Sequence, residues 1–391
     1  MTELPDSTAI LADLVGFDTT SAKSNLALID HLADRLASLG FRIRLTRNAD
    51  QTKANLFATI GPEGDGPGHP GGIVLSGHTD VVPAHAEDWT SPPFQATVRD
   101  DRVYGRGTAD MKGFIACCLA KAPLFARSRL SKPIHFAFSY DEEVGCLGVR
   151  GLLADLKTAD IRPALCVVGE PTEMNVIIGH KGKKSVTCTV LGKEGHSAMN
   201  HLGVNAVEIA ADIVSRIRAI QRRIRSDGPF EDGYDPPYTT LHTGTIRGGL
   251  ALNIIPRDCT FEFEIRNLPG HDPEAIMAEL RSYAQELVVD MLDIDPATGI
   301  LFNEYNTTAG LSSGPDDDAT QLACQLSGHN HTCKVSFTTE AGLFAQAGIP
   351  AVVCGPGSIT QAHRPDEFIA LEQLAKCETF LDGLLGRMRA V

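Results

Sequence analysis

Residues 73–83 read IVLSGHTDVVP: an aliphatic run that breaks at Gly77 and is followed at once by His78 and Asp80. The pattern returns in IHFAFSYDEE (134–143), where the apolar run ends in Glu142 and Glu143, and in LCVVGE (165–170), where it ends in Glu170. A later run, AVVCGPG (351–357), precedes His363 by a short loop. Short apolar runs bounded by turn residues read as buried strands, here Ile73–Ser76, Ile134–Ser139, Leu165–Val168 and Ala351–Cys354. Helix-period segments lie between them: Asn25–Leu39, with Leu28, Ile29, Leu32 and Leu36 on one face, and Phe114–Ala126. Strands alternating with helices specify an α/β fold, a mainly parallel sheet with helices on both faces. Because ligands of such sheets bind outside the carboxyl ends of the strands, the His, Asp and Glu residues that end these runs are expected to meet on one edge.

From about residue 181 the rhythm changes to strand (Ser185–Leu191), helix (Val204–Ile220), two strands (Thr239–Ile246 and Cys259–Arg266) and helix (Pro273–Val288). This βαββα order predicts an α/β sandwich inserted into the first domain, residues 181–302 within a catalytic domain of residues 1–180 and 303–391. The stretch GPEGDGPGHPGG (61–72) can only be loop or turns.

Composition narrows the function classes. The chain has 391 residues and a formal net charge of −14, which argues against sequence-independent binding to nucleic acid or anionic membrane. Residues 1–20 carry no Lys or Arg and no long apolar run, so a secretory signal is not expected and a cytoplasmic location is. The longest uncharged apolar stretch, Phe114–Ala120, is far short of the roughly 20 residues that span a bilayer. Ten scattered cysteines without a CxxC pair read as buried thiols in a reducing compartment.

One histidine at a strand end is ordinarily just a polar residue, and an isolated EE pair is ordinarily a solvated turn. Together at one sheet edge they pose a charge problem, since carboxylates a few ångströms apart disfavour joint ionisation. A bound cation removes it. Imidazole and carboxylate donors without thiolate suit a zinc-like divalent ion, and several carboxylates with two His point to two ions sharing a bridge. Of an adjacent Glu pair, one can ligate while the other stays free to take a proton from water. His180, His201, His242, His329 and His331 lack such a context and read as surface or satisfied polar residues.

The motifs SGHTDVVP (76–83), GRGTADMKG (105–113), SYDEEVG (139–145), GEPT (169–172), GKEGHS (192–197) and AHRPDE (362–367) occur in the order of a family that the chain resembles along nearly its whole length. It is the co-catalytic dinuclear metallopeptidase family that includes acetylornithine deacetylase and succinyl-diaminopimelate desuccinylase. The resemblance implies two divalent metal ions per subunit, zinc first, with cobalt or manganese as alternatives. It implies that His78 and Glu170 share one metal, that Glu143 and His363 share the other, and that Asp110 bridges them, with a cis peptide after it. Asp80 would orient His78, Glu142 would be the general base, and His196 would steady the oxyanion from a partner subunit, making a homodimer through the inserted domain part of catalysis. Arg266 and Asn253 would hold the substrate. The implied reaction is hydrolysis of the acyl-amide bond of a small N-acylated amino acid, N2-acetyl-L-ornithine first. Desuccinylase, aminoacylase and small-peptide exopeptidase activity remain open, as the metal motifs do not separate them.

Overall fold

A computed structural model describes residues 6–62 and 71–390 of the chain; most of the stretch read above as a Gly/Pro loop lies outside the described residues. Two compact units emerge. The first comprises the described residues through Gly179, Leu311–Lys334 and those from Thr339 onward; the second comprises His180–Gly310 with Val335–Thr338.

The first unit is built on a sheet whose centre is four parallel strands in the order Ile134–Ser139, Gly71–His78, Pro163–Val168 and Ala351–Val353. Ala54–Ile60 and Arg42–Arg47 extend it antiparallel on one side, and Val176–His180 runs antiparallel on the other. All six residues of Ile134–Ser139 are buried, which is why that strand reads as a continuous apolar run and not as an alternation. Phe136 stacks on Phe41 and Phe138, with ring centroids 5.3 and 5.6 Å apart. The helix Leu26–Ser38 buries the predicted stripe Leu28, Ile29, Leu32 and Leu36, while Gly113–Arg127 is buried nearly all round. The last strand of this sheet in chain order, Ala351–Val353, sits between Pro163–Val168 and Val176–His180, so the segment after the second unit completes the interior of the first sheet.

Register sets the height of the functional edge. His78 is level with Ser139, and Ser76 is level with Val168, so the strand ends that carry His78, the Glu142–Glu143 turn and Glu170 finish side by side. Gly169, between strand and Glu170, is required by close approach: a Cβ there would lie 2.0 Å from the Phe114 ring.

The second unit has a four-stranded antiparallel sheet, ordered Thr240–Gly248, Asp258–Asn267, Gly182–Leu191 and Gly299–Thr308. Helix Ala206–Asp227 buries Ala206, Ala210, Ile213, Ile217, Ile220 and Ile224, a stripe spaced alternately by four and three residues, against that sheet. Asn205 caps this helix by accepting the Val207 and Glu208 N–H groups, and Asp272 caps Pro273–Ile294 by accepting that of Glu274. The order is therefore βαββαβ where the sequence reads as βαββα, and the unit runs to Gly310, past residue 302. The extra strand is an edge strand with Leu301 and Tyr305 exposed and Asn303, Glu304 and Asn306 interleaved, which blurs its alternation. Among the described residues no helix is long and apolar enough to cross a membrane.

Gly169→Ala is expected to lower stability by about 1–3 kcal/mol through overpacking against Phe114, seen as a lower urea midpoint. Gly386→Ala, where nothing lies within 4 Å of an added Cβ, is the matched control and is expected to hold or raise the midpoint.

Candidate metal centre

His78 ends its strand; Glu142, Glu143 and Glu170 leave the ends of the two strands flanking it. Asp110 comes from the irregular turn Thr108–Lys112 ahead of helix Gly113–Arg127, and the peptide after it is cis. His363 holds a left-handed φ of 61°, a conformation non-glycine residues adopt mainly where surrounding structure enforces it. Two sets of donor atoms converge: His78, Asp110 and Glu170 in one, Asp110, Glu143 and His363 in the other, each set within 4.8 Å of one another. Asp110 turns Oδ1 to His78 Nε2 at 3.0 Å and Oδ2 to His363 Nε2 at 3.4 Å. Glu143 Oε2 lies 2.9 Å from His363 Nε2, and Glu170 Oε1 3.7 Å from His78 Nε2.

Asp80 meets His78 with both its carbonyl and its carboxylate. The imidazole Nδ1–H donates to the Asp80 main-chain carbonyl at 2.9 Å, which leaves Nε2 facing Asp110 and Glu170, while the carboxylate is 3.6 Å away. That carboxylate also accepts the N–H groups of Glu142 and Glu143, at 3.0 and 3.3 Å, and the Ser21 hydroxyl at 2.7 Å. It thus ties the strand carrying His78 to the turn carrying the Glu pair.

The electrostatics state what the cluster lacks. Burial pushes the Glu142 carboxyl up to about 8, with Glu143, Glu340 and Asp110 adding to the shift against His78. Burial and then Asp110 raise Glu143 and Glu170 as well. Hydrogen bonds to Asp110 and Glu143 raise His363 to about 10; His78 is raised despite its burial. Asp110 is held below the usual range, burial notwithstanding, by those two imidazoles. A cluster that keeps protons on carboxylates and imidazoles together is short of positive charge. Divalent cations supply it, and the donor set fits them: imidazole and carboxylate donors in both triads, with one carboxylate turning an oxygen to each.

Several participants carry no sequence signal. Lys53 pairs with Asp141 beside the Glu turn, at 2.5 Å. Glu340 is buried and accepts from the Ser139 and Ser76 hydroxyls, and burial lifts it to about 7. The Cys146 thiol donates to Glu142 Oε1 at 3.3 Å.

The remaining candidates lie on the second unit. His196 pairs with Ile254 in a two-stranded ribbon, and the Asn253 carbonyl accepts the Ser197 N–H, so His196 and Asn253 share one exposed element. His196 Nδ1 accepts the Ala198 N–H at 3.1 Å, which places the proton of the neutral ring on Nε2. Arg266 forks onto Glu264, at 3.0 and 3.3 Å, and reaches Thr338 Oγ1 at 3.4 Å.

Comparison with known proteins agrees with this chemistry. Residues 74–387 match the family described as Peptidase family M20/M25/M40. The acetylornithine deacetylase of Myxococcus xanthus is 36% identical over 381 residues, which cover 97% of this chain and 96% of that protein. An M20 family metallo-carboxypeptidase of Sulfolobus solfataricus shares the fold with a TM-score of 0.76, at 18% identity over 97% of this chain and 98% of the other. A dinuclear metal binding peptidase of the same family from Bacillus subtilis superposes with a TM-score of 0.64, at 15% identity over 97% of each chain. Identity of that extent across almost the whole length, on a fold whose neighbours are metallopeptidases, makes the chain a hydrolase belonging to peptidase family M20/M25/M40.

Proposed function

We propose that the chain hydrolyses the amide bond of an N-acylated amino acid, with N2-acetyl-L-ornithine as substrate and acetate and ornithine as products. The observation that carries the chemistry is the division of labour among the carboxylates: Asp110 belongs to both triads, Glu143 and Glu170 to one each, and Glu142 to neither, although the same groups act on its charge. The choice of acetylornithine is supported by identity with the Myxococcus xanthus deacetylase along nearly the full chain.

His78, Asp110 and Glu170 would hold one divalent ion and Asp110, Glu143 and His363 the other, zinc in the first instance, with cobalt or manganese able to use the same donors. When bound, such ions polarise the scissile carbonyl and lower the pKa of water. Glu142 accepts the proton of the attacking water as the new C–O bond forms. As the C–N bond breaks, it returns that proton to the leaving amine, so the carboxylate is regenerated. His196, with its proton on Nε2, has the donor that an oxyanion requires, and we assign it that task in the partner subunit's site. Arg266 has the planar fork that an α-carboxylate needs, with Asn253 as a second polar contact.

We further propose a homodimer through the second unit. On its surface Leu250 and Leu252 are 82% and 100% exposed beside Thr240–Gly248, an edge strand of that unit's sheet. Such an edge is a ready template for another chain. Cytoplasmic residence suits ten cysteines that are all free thiols.

Turnover of N-acetylornithine, N-succinyl-diaminopimelate, N-acetylmethionine and a dipeptide tests the reading. Activity strongest on N-acetylornithine, abolished by chelation and restored by zinc or cobalt, is the expected result; preference for another member overturns the substrate. Glu142→Gln is expected to lose about 10²–10⁴-fold in kcat with metal content intact, and full activity with full metal content would remove Glu142 from the base role. Light scattering should give twice the chain mass. Mixing the inactive Glu142→Gln and His196→Ala proteins after subunit exchange should recover activity if His196 works across the dimer, and no recovery means it does not.

A further inference from the structure

Glu367 closes the AHRPDE motif four residues after His363, is 1% exposed, and has no part in either triad. Its carboxylate is saturated by one short segment of chain. Oε2 accepts from Arg106 Nη1 at 2.7 Å and from the Gly107 N–H at 3.0 Å; Oε1 accepts from the Ala109 N–H at 2.9 Å and the Asp110 N–H at 3.1 Å. Its own carbonyl takes the Gly105 N–H at 2.9 Å. These N–H groups belong to a turn that forms no sheet ladder and no regular helix, so a side chain from the far end of the sequence stands in for secondary structure.

We infer that Glu367 is the positioning residue for the carboxylate shared by the two metal triads. It grips the main chain of Asp110 itself and is tied through a three-residue link to His363, so one side chain sets both the bridging carboxylate and a ligand of the second triad. A buried Glu–Arg pair such as Glu367–Arg106 repays its desolvation poorly and can often be replaced by apolar residues without loss. Four converging hydrogen bonds spent on residues 106–110 fix a direction, and the direction fixed is that of Asp110 Oδ1 toward His78 and Oδ2 toward His363. Arg106 neutralises the charge and is itself braced by the Pro83 carbonyl and by the Trp89 ring, 5.1 Å from its guanidinium carbon.

The inference rests on the reading of Asp110 as a shared metal ligand, and the test separates the two. Each oxygen of Glu367 accepts two bonds, so Glu367→Gln sets an amide NH2 against two donors whichever way it turns. Zinc affinity by competition with a chromophoric chelator and the visible absorption spectrum of the cobalt-loaded protein are measured for wild type, Glu367→Gln and Asp366→Asn. Asp366 also accepts two bonds, from the Thr90 N–H and hydroxyl, but they lie on the exposed side and touch neither triad. Two ions per wild-type chain, zinc binding weakened about 10–100-fold in Glu367→Gln, an altered cobalt spectrum, and wild-type behaviour in Asp366→Asn support the proposal. If Glu367→Gln does not fold, Glu367→Asp keeps the charge for Arg106 but cannot reach both arms of the turn, and the same weakening and spectral change are expected. A variant that melts lower while keeping zinc affinity and cobalt spectrum makes Glu367 structural only and overturns the inference. A wild type that binds fewer than two ions overturns the shared-ligand reading and the inference with it.

Discussion

At the carboxyl edge of the parallel strands Asp110 stands against two imidazoles while Glu142, Glu143, Glu170 and Glu340 crowd the same low-dielectric space, and the repulsion among those carboxylates is the constraint that the first unit accommodates. Glu142 meets only the Cys146 thiol, whereas the other acids outside the triads have stronger hydrogen-bond or ion-pair partners. Asp80 is satisfied by two main-chain N–H groups and Ser21, Asp141 by Lys53, Glu367 by Arg106 and three main-chain N–H groups, and Glu340 by two serine hydroxyls. Glu142, Glu143 and Glu170 remain raised by burial and by their neighbours' charges, at the two triads and beside them. The demand for cations is thus concentrated in one place, with Glu142 outside both triads.

The compensating groups also tie down a site assembled from irregular chain. The Glu142–Glu143 turn hangs on Asp80, the Asp110 turn on Glu367, and the Glu170 turn on a glycine that lets it pass the Phe114 ring. None of these supports is regular secondary structure, yet each is anchored in a buried strand or helix, which suits a constellation that must hold its geometry to a fraction of an ångström.

The sequence showed the parts governed by short-range rules. Apolar runs ended by His or Glu placed His78, Glu142, Glu143 and Glu170 on one edge because strand period and sheet topology do the rest. Asp110 lies in an irregular turn without period, so only motif resemblance indicated it. Glu367 and Lys53 act across 257 and 88 positions on groups that no local pattern marks. The Gly299–Thr308 strand was hidden because Leu301 and Tyr305 are exposed while Glu304 and Asn306 face inward, which breaks the apolar-in, polar-out alternation. Asp80 was legible but its reach was not: its carbonyl holds the imidazole, and its carboxylate, 3.6 Å from that ring, also takes the N–H groups of the Glu turn.

The late insertion of Ala351–Val353 between Pro163–Val168 and Val176–His180 bears on how the chain is made. While the ribosome adds the residues between Val168 and Ala351, Pro163–Val168 has a bare hydrogen-bonding edge, and His363 has not yet been synthesised. At about 5–20 residues per second that interval lasts on the order of ten seconds or longer. The nascent first unit must wait through it with an apolar strand open to wrong partners, while the second unit, whose strands are all in hand by Thr308, can close first. A cation that needs the donors of both triads, His363 among them, can be held only after nearly the whole sequence has been made.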